Sequence, residues 1–163
     1  MLGAMADVRI RLAAPEEAPI LARHRCEMFR EMGRLRPECF DGLAKASEQA
    51  FREMMPDGRY IGWLAVNDDA VVGGGGMQIR EILPRPRIDG VLLGPGPQGV
   101  ILNMFVEPHC RRQGIARALM IAMIEYAGRS RIASLVLHPS EAGRGLYEEL
   151  GFVPTGEMRL YVR

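Results

Sequence analysis

Three cysteines in 163 residues, Cys26, Cys39 and Cys110, are too few and too scattered for a disulfide framework, and none has the paired C-x-x-C spacing of a zinc site. They read as reduced thiols, and no metal is expected. No apolar run approaches the roughly 20 residues needed to cross a bilayer, so no membrane partner is expected either. Residues 1–7 lack the basic stretch and following apolar stretch of a secretory leader, which makes the cytoplasm the expected location. Net charge is also small, +1, giving nucleic acid no global attraction. Lysine is nearly absent: Lys45 stands alone among the cations beside the arginines, so any basic site must come from local arginine clustering. There is no internal repeat and no low-complexity linker. The balance of 48% hydrophobic and 25% charged residues is that of a folded chain, and the length fits one domain over 1–163 whose core can do without disulfides or metals.

What is present is a succession of strand and helix patterns. Residues 8–13 alternate apolar and basic side chains like a half-buried strand, and Pro15-Glu16-Glu17 opens a helix carrying Ile20, Leu21, His24 and Met28. After Pro37 a second helix carries Leu43, Ala46, Ala50, Phe51 and Met54, ending at Pro56-Asp57-Gly58. Residues 60–66 and 70–72, around Asn67-Asp68-Asp69, form a predicted hairpin whose second arm runs on through glycines to 77–79. Residues 81–99 are rich in proline and glycine and form a long connection, of a kind that often carries function. Residues 100–106 read as a buried strand and 132–137 as the next. Between them a helix spans about 112–127, with Ile115, Leu119, Ala122 and Tyr126 on one face. A short helix over about 141–150 stops at Gly151, and residues 152–153 and 158–162 are predicted to pair as strands around Pro154-Thr155-Gly156.

Three glycine-bearing segments compete for a phosphate. Gly94 to Gly99 spells G-x-G-x-x-G, but it precedes a strand where the dinucleotide motif follows one, and Pro95 and Pro97 remove amides a phosphate would need. A loop turn is expected there. Gly73 to Gly76 is followed by no Gly-Lys-Ser or Gly-Lys-Thr and reads as a bulged strand closely approached by another backbone. The turn from Arg111 to Ala116 differs, because Arg111, Arg112 and Arg117 crowd a helix start that already carries about half a positive charge. An anion reverses that conflict. Gly114 lets the backbone come close, the amides of Gln113, Gly114, Ile115 and Ala116 point outward, and the arginines close over a pyrophosphate. In isolation the same turn also fits a solvated basic surface.

The flanks of this turn carry more information. The string from Asn103 through Val106-Glu107-Pro108 and Arg112-Gln113-Gly114-Ile115-Ala116 to Leu119 resembles the central motif of the GCN5-related N-acetyltransferase family, Gln/Arg-x-x-Gly-x-Gly/Ala after a strand ending Val-x-Pro. A second segment, Ser140 through Tyr147 to Gly151-Phe152, resembles the family's later Asn-x-x-Ala-x-x-x-Tyr-x-x-x-Gly-Phe segment. Ser140 replaces the usual Asn and Ala116 a common Gly, while Gly143 and Gly145 fall within the predicted helix. The resemblance implies an α/β fold with a central, splayed, mostly antiparallel sheet flanked by helices, and acetyl-CoA as co-substrate. It implies that the strand of Met104, Phe105 and Val106 parts from the next strand. The pantetheine arm then fills the gap, held by backbone groups of Phe105 and Val106, and the Val106 amide stabilises the oxyanion. Arg111, Arg112, Gln113, Gly114, Ile115 and Ala116 would hold the pyrophosphate with Arg117 beside them, and Ser140, Gly143 and Tyr147 would line the cofactor on one helical stripe.

The implied reaction is direct attack of a primary amine on the thioester, with no metal and no covalent enzyme intermediate. The expected catalytic residues are Tyr147, Val106 and His138. Tyr147 matches the tyrosine that faces the sulfur; a phenol near pKa 10 is a weaker acid than a thiol near 8.5, so it hydrogen-bonds the thiolate in preference to protonating it. It equally fits as packing beside Leu146 and Leu150. His138, Glu81, Glu107 or a water relay are the candidates for removing the amine's proton. The acceptor is a small-molecule or peptide amine, and Arg30, Arg34, Arg36, Arg85 and Arg87 hint that it is acidic. The alternative reading is a noncatalytic acyl-CoA-binding sensor or interaction module. Sheet edges and an apolar carboxy-terminal strand permit a homodimer, which is common in the family resembled.

Overall fold

The computed structural model describes residues 8–162. Five strands, β1 (Val8–Leu12), β2 (Tyr60–Asn67), β3 (Ala70–Arg80), β4 (Gln98–Val106) and β5 (Ser134–Leu137), form one sheet in chain order. Successive strands pair antiparallel up to β4, and β5 then joins β4 in parallel. A parallel neighbour needs a crossover, which α3 (Ile115–Arg129) supplies. α1 (Ala18–Glu31) and α2 (Phe40–Met54) lie between β1 and β2, and α4 (Arg144–Glu149) follows β5. This is the mixed, mostly antiparallel sheet with flanking helices that the motifs imply.

The helices bury both faces of the sheet. Leu21, Ala22 and Phe51 from α1 and α2 pack on Tyr60, Leu64 and Val66, while Leu119, Met120 and Met123 of α3 pack on Trp63, Ala65, Met77 and Ile101. β2 is therefore covered on both sides, which explains its continuous apolar run. Gly73 to Gly76 lie buried in β3 opposite β4, with a register break between Gly74 and Gly76. A Cβ on Gly75 would overlap the Met104 side chain, and one on Gly76 the Tyr60 ring and hydroxyl. The close approach is thus observed, but the extra residue at this register break lies in β4, where Asn103 and Met104 together face Gly75; the proline-rich connection of 81–97 holds one isolated bridge, Pro86 to Leu92.

Several expectations are corrected. α3 begins at Ile115, because Arg112 at φ 63° and Gly114 at φ 80° are left-handed and cannot continue a helix. Its buried face runs through Met120 and Met123 as well as Ile115 and Leu119, leaving Ala122 and Tyr126 at the margin. α2 buries Ser47 and Phe51 and exposes Ala46. α4 begins only at Arg144, after turns at 141–143. The terminal strands at 152–153 and 158–162 do not form: Pro154 has no amide to give a ladder, and β5 offers an edge only four residues long. Met158, Leu160, Tyr161 and Val162 are exposed in consequence.

Candidate active site

β4 outruns β5. Their pairing stops at Ile101 and Leu137, and residues 102–106 continue without a strand on that side. The Glu107 amide donates to the Val72 carbonyl at 2.9 Å. Antiparallel partners exchange bonds at alternate residues, so Val106 turns its own amide and carbonyl away from β3 and into the gap. Its carbonyl accepts a bond from Arg111 Nε at 2.9 Å, which leaves the amide. Phe105, opposite Gly74, faces β3 by the same alternation and meets the gap with neither backbone group; its ring lies 5.1 Å from that of His24. Met104 packs its side chain into the α3 core beside the gap.

β4 bulges at Asn103, left-handed at φ 63° and buried. This turns its side chain toward α1, where Arg25 Nη1 donates to Oδ1 at 2.6 Å and Nδ2 donates to the Tyr60 hydroxyl at 2.9 Å. Burial pushes the Tyr60 phenol up to about 12, against the opposing pull of Asn103 and Arg25. His24, 1% exposed, has neither ring nitrogen bonded to a protein group. Burial, then the nearby Arg23 charge, push it down to about 4, with Glu107 acting in the other direction. Sequence reasoning missed this cluster. A lone asparagine in the apolar run of 100–106 and a histidine on an apolar helix face were the available signals.

At the start of α3 the first intrahelical bond is Ala118 to the Gly114 carbonyl at 3.0 Å, so the amides of Ile115, Ala116 and Arg117 have no helical carbonyl before them. Gly114 provides no side-chain cap. With Arg112 and Gly114 both left-handed around Gln113, this backbone forms an amide-lined hollow that suits an anion such as a pyrophosphate. The three arginines are not equivalent. Arg111 Nη2 reaches both Glu31 oxygens at 2.8 Å, and Arg117 pairs with Glu149. Among the described residues only Arg112 of the three has no carboxylate partner, so the arginines expected to close over a pyrophosphate are not equally available for it.

Ser140 precedes α4 instead of sharing its stripe, and its Oγ accepts the Gly143 amide at 3.2 Å. A Cβ on Gly143 would come within 3.0 Å of the Tyr147 ring, so these three residues do adjoin. Tyr147 is half-buried with its ring edge-on to Phe152 at 6.1 Å, and burial raises its pKa. His138 is exposed just beyond β5 and pairs with Glu157, which Arg159 also holds. Glu107 pairs with Arg23, while Glu81 is exposed. Of the arginines that hinted at an acidic acceptor, Arg30 pairs with Glu27 and Arg87 with Asp89, and Arg34, Arg36 and Arg85 are exposed.

An unpaired strand end leading to an amide-lined helix start suits a ligand with an extended arm and an anionic end. The chain belongs to the acetyltransferase (GNAT) family, whose model matches residues 27–152. Acetyl transfer is therefore its general chemistry. A GCN5-related N-acetyltransferase from Ralstonia eutropha JMP134 is similar over 95% of this chain and 98% of that one, with TM-score 0.83 and 29% identity. A predicted acetyltransferase from Clostridium acetobutylicum, solved with acetyl-CoA, gives 0.76 at 21% identity over 95% and 96% of the two chains. A ribosomal-protein-alanine N-acetyltransferase from Brucella melitensis biovar Abortus 2308 gives 0.64 at 19% identity over 96% and 99%. The last two share the fold. No curated protein matches the chain.

Proposed function

We propose that this protein moves the acetyl group of acetyl-CoA to a primary amine by direct attack on the thioester carbonyl. The observation that carries this reading is the Val106 amide, turned away from β3 onto the edge of β4 beyond the end of β5, with its carbonyl already occupied by Arg111. The free amides of Ile115 to Arg117, together with Arg112, would hold the pyrophosphate. The arm would then run along the open edge of β4 and bring the carbonyl oxygen to the Val106 amide, which stabilises negative charge as it develops.

A neutral amine forms the new C–N bond, the C–S bond breaks, and the sulfur leaves as thiolate. Tyr147 is suited to donate a hydrogen bond to that sulfur; its raised pKa keeps it a phenol and makes complete proton transfer still less favourable than for a free tyrosine. His138 and a water relay are the proposed routes for the amine's proton; pairing does not separate His138 from Glu107, since Glu157 holds the one as Arg23 holds the other. Release of CoA thiol from acetyl-CoA across a broad amine panel tests the reading. Turnover with any amine supports it; acetyl-CoA binding without turnover on the whole panel favours the noncatalytic sensor. The unpaired edge of β5 and the exposed Met158, Leu160 and Val162 support a homodimer. A monomeric mass by light scattering at high protein concentration would remove that part.

A further inference from the structure

We infer that Arg25 is the docking point for a carboxylate on the acceptor, which makes the acceptor a small amine that also bears a carboxylate, an amino acid or a close relative. This rests on the transferase reading above. Among the described residues two arginines, Arg11 and Arg25, are partly buried. Arg11 has its carboxylate, Glu17, at 2.7 Å. Arg25 has none: its hydrogen-bond partner is the neutral Asn103, and its guanidinium lies 4.8 Å from the Phe29 ring centre.

A cation withdrawn from water without a counter-charge is unfavourable unless something supplies the charge. Neighbouring groups do not supply it. Glu27 is taken by Arg30, Glu31 by Arg111 and Glu107 by Arg23. The Tyr60 hydroxyl, beyond Asn103, stays a neutral phenol because burial pushes its pKa up to about 12. A guanidinium carries five N–H donors in a planar fork; one goes to Asn103, leaving enough for a two-point grip on a carboxylate.

The place is also suited to an acceptor. Arg25 reaches β4 from the α1 face at the residue where the strand bulges, three positions before the Val106 amide, while α3 packs on the other face of the sheet. A carboxylate held there would leave the amine of the same molecule free to point along β4 toward the thioester carbonyl.

The test uses matched acceptors in the CoA-release assay: the protein amino acids and ω-amino acids of two to six carbons, each against its own carboxamide. A charge-assisted pair predicts at least one acid favoured over its amide by about ten- to a hundredfold in kcat/KM. Arg25→Gln should bring that acid-to-amide ratio close to one. Asn103→Asp should do the same with Arg25 intact, because it places a carboxylate permanently against the guanidinium. A merely structural role for Arg25 would lower both members of a pair together and leave their ratio unchanged, which overturns the inference. So does acetylation confined to amines without a carboxylate. Loss of folding in Arg25→Gln, seen as a lower Tm, leaves Asn103→Asp and the wild-type ratios to decide. No CoA release from any amine would instead remove the transferase reading, and this inference with it.

Discussion

His24 makes the stability of this protein depend on pH in a window where few other groups titrate. Its pKa falls from the ordinary 6.5 to about 4 in the fold, chiefly because burial disfavours the charged ring. Between these two values the unfolded chain binds a proton that the folded chain does not, so stability must rise with pH. The stabilisation is complete above about pH 6.5 and is lost progressively as pH falls toward 4. At pH 5 most unfolded chains carry the extra proton and most folded ones do not, which corresponds to a loss of about 2 kcal/mol relative to pH 7. Urea unfolding at the two pH values reads this directly. His24→Leu isolates it, since leucine fills a similar volume on the same helix face and has no proton to bind. That variant should also be about 1 kcal/mol more stable at pH 7, because it removes two ring nitrogens that find no protein partner. Parallel stability profiles for wild type and His24→Leu between pH 7 and 5 would refute the reasoning. They would mean that the ring is protonated, or solvated, inside the fold.

Tyr147→Phe should lower kcat about tenfold, the worth of one hydrogen bond to developing charge, while acetyl-CoA affinity in a binding titration stays nearly unchanged; equal turnover would exclude the hydroxyl from the reaction. Arg112→Gln should weaken CoA binding about five- to tenfold and Arg117→Gln by less than about twofold, because only Arg117 is already paired, with Glu149. Calorimetric titration showing the reverse order would remove the distinction drawn between them. Two glycines should respond oppositely to alanine. In β3, Gly76→Ala forces a Cβ into the buried Tyr60 ring and should cost about 2 kcal/mol in urea unfolding. Gly42→Ala, on an open stretch of α2, should add about 0.5–1 kcal/mol, and equal effects at both positions would contradict the packing described.

The difference between what was legible in the sequence and what was not follows the range of the interactions. β2 could be read because a strand covered on both faces needs apolar residues at every position, and that requirement is written locally in residues 60–66. The α3 turn could be read because left-handed backbone and free amides depend on Gly114 and its immediate neighbours. Its electrostatics could not. The partners of Arg111 and Arg117 lie 80 and 32 residues away, so a cluster that looks uniformly cationic in the sequence is mostly neutralised in space. The carboxy-terminal misreading has the same origin. Alternation at 158–162 describes a segment able to face two environments, but a strand also needs an edge with free donors and acceptors in register, and that belongs to another part of the chain. Arg25 and Asn103, separated by 78 residues, are the limiting case. Asn103 is marked only as a lone polar residue in an apolar run, and Arg25 has no local pattern that marks it. What singles them out is a charge whose hydrogen-bond partner is a neutral amide, while Glu27, Glu31 and Glu107 each serve another arginine.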